Sequence, residues 1–254
     1  MREPSTIDSW IFRPRPNPAA RLRLFCVPSA GRGASMYRGW GGPVGPQVEL
    51  CALQFPGRES RLREPLFTRM ADAVHEAAEA LQSYLDIPFA LFGHSMGAVI
   101  CFELARLLRR QSGIAPVHLF ISARPAPQYP HRRPFLSPLR DEQFVAEIRR
   151  RYNGIPGEVL QDPELMELLL PVLRADVEML ETYDYRPGPS LGCPITAFGG
   201  REDTETPFEE LTGWREQTNA RFRTHVFPGD HFFVRSAETE VLDIISRQLQ
   251  MEVD

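Results

Sequence analysis

Lysine is absent: all 29 basic residues are arginine. We read biased residue usage from this and no function. Cysteine is scarce. Cys26, Cys51, Cys101 and Cys193 each sit in an apolar stretch, and none forms a C-x-x-C pair. That argues against a disulfide framework and a Cys-rich zinc site, and suits a reducing cytosol. No apolar run approaches the ~20 residues that span a bilayer. Residues 1–8 are polar and lack the apolar core of a secretory signal. Basic excess is missing too, since 33 acidic residues outnumber the arginines and the formal net charge is −4. A nucleic-acid binder needs a concentrated basic surface. The expectation is a cytoplasmic protein with neither nucleic acid nor membrane as a partner.

What is present is ordinary globular composition, 43% hydrophobic and 24% charged over 254 residues. The 24 prolines are dispersed and punctuate loops. Short apolar runs at residues 22–28, 48–56, 89–95, 117–123, 195–199 and 222–227 read as strands covered on both faces. Residues 10–13 are a candidate edge strand. Met70, Val74, Ala77, Ala78, Leu81 and Leu85 form one helical stripe, residues 96–110 a second helix, and residues 240–249 the closing one. Thr206-Pro207-Phe208-Glu209 has the form of a capping box. This alternation predicts an α/β fold with a mostly parallel sheet flanked by helices. Residues 1–254 are expected to be a single domain. Between about 125 and 190 no strand is evident. Helices are expected at residues 143–151 and from Asp162-Pro163, with Pro171 kinking or dividing the latter. A helical insertion between two strands of one sheet reads as a lid.

Gly93-His94-Ser95-Met96-Gly97 fits G-x-S-x-G and lies between a strand and a helix, the setting of a nucleophile elbow. A serine hydroxyl needs an adjacent base. In this fold the triad runs Ser, acid, His along the chain. Of the six histidines, His75 is placed mid-helix, His118 and His225 in strands, His131 in the lid, and His94 in the elbow pointing away from Ser95. His231 follows the last strand and is the expected base. Asp203, after the preceding strand, is the expected acid. Glu202 and Glu205 are its competing neighbours, and Asp230 is read as a loop hydrogen-bonding residue. The backbone N–H groups of Met96 and Ala30 are the expected oxyanion-hole donors.

These residues resemble the type II thioesterases, discrete α/β-hydrolases associated with modular polyketide and nonribosomal peptide synthases. Val27-Pro28-Ser29-Ala30-Gly31 resembles the family's oxyanion loop. Phe55-Pro56-Gly57-Arg58-Glu59, with Glu64-Pro65, resembles its PGR segment. Leu170-Pro171-Val172-Leu173-Arg174-Ala175-Asp176, with Glu181 and Tyr183, resembles its lid helix, and Gly229-Asp230-His231-Phe232-Phe233 its histidine loop. Two positions depart: Ser29 stands where His is usual, and Arg32 where Gly is usual. The resemblance implies an α/β-hydrolase fold with a helical lid. It implies hydrolysis of acyl groups from the phosphopantetheine arms of acyl or peptidyl carrier proteins, editing stalled or misprimed synthases. It requires no metal or cofactor, and a monomer is expected. An esterase or acyl-coenzyme A hydrolase acting on free small molecules is the alternative enzyme; a non-catalytic docking module is the other class. Arg132, Arg133, Arg149, Arg150 and Arg151, in or beside the lid, are a candidate basic rim for an acidic carrier.

Overall fold

The computed structural model describes residues 9–155 and 157–253; residues 1–8, read above for a signal, lie outside them. Seven strands among the described residues are β1 (Ile11–Phe12), β2 (Leu22–Val27), β3 (Val48–Leu53), β4 (Phe89–His94), β5 (His118–Ser122), β6 (Ile195–Gly200) and β7 (Phe222–Phe227). They form one sheet in the order β1-β3-β2-β4-β5-β6-β7. Only β1 is antiparallel, paired with β3 at the edge. The expected strands are thus found, residues 10–13 contributing the shortest.

The strand composition explains the layering. Every residue of β3, β4, β5 and β6 is buried, and successive side chains serve opposite faces. Phe25, Leu91, Leu119 and Ile195 pack with α1 (Met70–Leu81) and α2 (Met96–Ser112). Leu24, Phe92, Phe120 and Phe198 pack on the other face with residues of the C-terminal helices. All four cysteines are buried and none is in a disulfide, as small hydrophobes would be. α2 ends at Gly113 in the left-handed conformation (φ 70°), with Arg109 and Arg110 in its last turn.

Between β5 and β6 lie α3 (Asp141–Tyr152), α4 (Gly157–Leu160) and α5 (Pro163–Glu181). Asp162 caps α5 by accepting from the N–H groups of Glu164 and Leu165. Pro171 does not divide this helix, which runs unbroken through it. Val172, Leu173 and Asp176 are buried in the following turns, and that packing outweighs the hydrogen bond proline deletes. Phe144, Ile148, Leu173 and Val177 make a core of their own with Leu136 and Ile155.

After β6 come α6 (Phe208–Thr212), α7 (Phe233–Ser236) and α8 (Glu238–Val253). The capping box at Thr206 is not formed. Pro207 holds the cap position of α6 and no side chain caps it, because the helix begins one residue later than the motif requires. α8 is longer at both ends than the periodicity of residues 240–249 implied. Among the described residues no helix is long and apolar enough to cross a membrane.

Candidate active site

The turn between β4 and α2 is built by exclusion of side chains. A Cβ on Gly93 would lie 2.1 Å from the carbonyl oxygen of Gly97, and one on Gly97 would lie 2.1 Å from that of Val27. Only glycine fits either position. Ser95 itself sits at φ 55°, ψ −111°, a strained conformation for a residue with a Cβ. Its N–H donates to the Ser122 carbonyl at 2.8 Å, tying the elbow to the end of β5.

The loops after β6 and β7 bring the other two predicted residues here. Ser95 Oγ lies 2.9 Å from His231 Nε2, and His231 Nδ1 lies 2.9 Å from Asp203 Oδ2. All three side chains are buried. Asp203 Oδ1 accepts the Glu205 N–H at 2.9 Å. Burial by itself would raise the Asp203 pKa. The hydrogen bond and charge of His231 and the backbone donor outweigh it, holding the carboxyl below its usual value. The arrangement keeps Nδ1 protonated and leaves Nε2 free to accept from the serine hydroxyl.

The competing residues are elsewhere. Asp230 accepts the Phe232 N–H, Glu202 accepts the Gly229 N–H, and Glu205 pairs with Arg133. His75 is exposed on α1 and His118 is buried against Thr196. His94 is fully buried and its Nδ1 meets Ser122 Oγ at 2.9 Å. Burial, followed by repulsion from His231, holds it neutral.

Ala30 follows β2 and Met96 opens α2. Among the described residues no acceptor engages the N–H of either. Ala30 and Ser95 line one cavity, and Met96 follows Ser95 directly at the positive end of α2. The neighbouring Gly31 N–H is already used, donating to Asp176 Oδ2 at 2.8 Å. Asp176 also takes a two-pronged ion pair from Arg58, at 2.6 and 2.9 Å, with both side chains buried. Two segments more than a hundred residues apart therefore meet behind the oxyanion loop. The spacing of charges along the chain gave no hint of that pairing.

A cavity of about 420 Å³ opens over Ser95, Ala30 and His231. Its outer wall is aliphatic, with Val159, Leu165, Leu168 and Leu169 from α4 and α5. Ser29 is buried at its base. Arg32 lines it and reaches the Gly154 carbonyl at 3.4 Å. Arg124 and Tyr152 line it too; neither was singled out from the sequence, since an arginine after a strand and a tyrosine ending a helix carry no periodic signal.

Four of the five arginines of the candidate basic rim are paired within this chain. Arg132 pairs with Glu210 and Arg133 with Glu205, while Arg150 and Arg151 share Glu147. Arg151 is buried, because its guanidinium is drawn inward to the Pro134 carbonyl. Among the described residues, His75, Glu76 and Glu79 are spaced as metal ligands could be. They are exposed on α1 and do not line the Ser95 cavity.

A family model described as a thioesterase domain matches residues 22–249. The chain belongs to the thioesterase domain family. This thioesterase is 44% identical over 247 residues to the gramicidin S biosynthesis protein GrsT of Aneurinibacillus migulanus, covering 97% of this chain and 96% of that one. It is 37% identical over 249 residues to the thioesterase PikA5 of Streptomyces venezuelae, covering 97% and 88%. The solved structure of the type II thioesterase BorB from the borrelidin biosynthetic cluster matches at a TM-score of 0.88 and 37% identity, over 97% of this chain and 100% of that one. The α/β-hydrolase fold and the resemblance to the type II thioesterases are borne out.

Proposed function

We propose that this thioesterase hydrolyses acyl groups from the phosphopantetheine arms of acyl or peptidyl carrier proteins, and so clears stalled or misprimed synthases. The observation that carries the chemistry is the hydrogen-bonded chain from Ser95 through His231 to Asp203, set at the floor of an aliphatic cavity. Ser95 Oγ attacks the thioester carbonyl as His231 Nε2 takes its proton. The C–S bond breaks, His231 returns the proton to the sulfur, and an acyl-serine ester remains. Water, deprotonated by the same imidazole, then releases the acid and restores the hydroxyl. The N–H groups of Ala30 and Met96 hold the oxyanion in both halves; each such donor is worth on the order of 100- to 1000-fold in rate.

The relatives named for gramicidin S and borrelidin biosynthesis support the carrier-bound substrate. The aliphatic wall supports an acyl group as the bound half. The same reading takes residues 1–254 as one domain with residues 125–190 as its lid, acting as a monomer in the cytoplasm. The test compares one acyl group on a carrier protein and on coenzyme A, with wild type and Ser95→Ala. Carrier-bound substrate should be turned over at the higher kcat/KM, and Ser95→Ala should lose about 10⁶ in kcat. A preference for coenzyme A would identify a hydrolase of free thioesters. Wild-type turnover by Ser95→Ala would refute the mechanism.

A further inference from the structure

His231 lines two clefts. A second cleft, of about 500 Å³, adjoins the Ser95 cavity. The two share Arg124, His131, Tyr152, Leu180 and His231, but the second touches neither Ser95 nor Ala30. Their walls differ. Gln128, Tyr129, Tyr185 and Thr204 line the second cleft, together with the ion pairs Arg132–Glu210 and Arg133–Glu205.

A thioester lying across Ser95 must send its two halves in different directions. His231 Nε2 delivers the proton to the departing sulfur, so the thiol half lies on the histidine's side. An apolar acyl chain matches the aliphatic cavity, and a chain of amides matches polar walls.

At the junction, two donors lack acceptors. Arg124 follows Ala123, itself at φ 50° at the end of β5, and its carbonyl is held by Trp214 Nε1 at 2.8 Å. Among the described residues its guanidinium has neither an acidic nor a carbonyl partner. Burial pulls its pKa down, with only Tyr152 and Tyr183 opposing. Tyr152 packs edge-on to His231, ring centroids 5.0 Å apart. Its hydroxyl makes no hydrogen bond among the described residues, and burial raises its pKa, so it stays a donor. Both side chains are only partly buried and line the two clefts, so their donors are free to meet the carbonyl oxygens of a ligand.

We propose that the second cleft seats the thiol half of the substrate, with Arg124 and Tyr152 donating to the amide carbonyls of a pantetheine arm while the acyl half fills the Ser95 cavity. This rests on the thioesterase reading of Ser95 and adds the direction in which the substrate lies.

The test places one acyl group on ethanethiol, which has no amide, on pantetheine, and on coenzyme A. Arg124→Met and Tyr152→Phe should each raise KM for the pantetheine thioester about five- to tenfold, the worth of one hydrogen bond. The loss on the ethyl thioester, which offers no amide carbonyl, should be several-fold smaller than on the pantetheine thioester, and Arg124→Lys should recover part of the pantetheine loss. Pro130→Trp, on the exposed rim of the second cleft, narrows it without touching the core. It should impair the pantetheine and coenzyme A thioesters and spare the ethyl one. Equal losses on ethyl and pantetheine thioesters would make Arg124 and Tyr152 structural residues and overturn the proposal. Unchanged pantetheine kinetics in Pro130→Trp would put the arm elsewhere. A wild type inactive on every thioester would instead refute the reading of Ser95.

Discussion

Ser95, His231 and Asp203 act in the proposed reaction only as a connected set, so their substitutions should not add. His231→Ala should lower kcat about as far as Ser95→Ala, and the double variant no further, because either change disables the same step. Steady-state kinetics of the three proteins checks this; a multiplicative loss would mean independent roles. Asp203→Asn should fold and bind substrate yet lose up to ~10⁴ in kcat, since an amide opposite Nδ1 permits the wrong tautomer. Asp230→Asn should be mild by comparison, as Asp230 caps a backbone N–H instead of facing the imidazole. The reverse order in the same assay would transfer the acid role to Asp230.

At the scale of elements, Arg58 and Asp176 join α5 to the loop that carries Ala30. A buried ion pair costs much to break from one side, because the remaining charge is stranded: about 3–5 kcal/mol. Asp176→Ala should lose that much and also release the Gly31 N–H, loosening the oxyanion loop. The double variant Arg58→Met, Asp176→Leu should recover much of the stability, and urea denaturation distinguishes the two. The ion pair also divides the lid. From Val172 onward α5 is buried against the body, whereas Leu165 and Leu168 are exposed near its start. Hydrogen exchange should therefore be fast in α4 and the first turns of α5, slow beyond Val172, and slowed in the former when an acyl phosphonate occupies Ser95. Uniform protection along α5 would mean a fixed pocket. Motion of the lid is therefore expected in α4 and the first turns of α5, with the rest of α5 held to the body.

For the whole molecule, acid stability should depend on a histidine outside the active site. His118 is buried beneath the sheet's second face, with Nε2 2.9 Å from Thr196 Oγ1. Burial, then repulsion from Arg221 and Arg223, lowers its pKa to about 4. Glu252, 4.0 Å from Nδ1, is too distant to reverse this. The unfolded chain takes up that proton near pH 6.5. The contribution is therefore fully present above pH 6.5 and is lost as pH falls toward 4, by about 3 kcal/mol. His118→Gln should flatten the pH dependence of the urea midpoint over that window. An unchanged slope would show that His118 is already charged in the native protein.

The strands, the elbow and the three residues that the fold brings into one hydrogen-bonded chain were legible along the sequence because each rests on local chemistry. Apolar runs must be covered, a glycine-flanked serine after a strand makes a sharp turn, and a histidine in the loop after the last strand is presented at the sheet's carboxyl edge. The family segments at Arg58 and Asp176 were visible as motifs, but not as partners. Their pairing depends on α5 folding back over the oxyanion loop, a contact between residues 118 apart in sequence. Pro171 and Thr206 misled for the opposite reason. Local rules set propensities worth a few kcal/mol at most, and packing of the following turns decided one helix while the position of Pro207 decided the other. The charge of the arginines was evident from composition, whereas which of them are neutralised by Glu147, Glu205 and Glu210 was decided only by tertiary structure. Ion pairs form between neighbours in space, and a linear sequence records neighbours only along the chain.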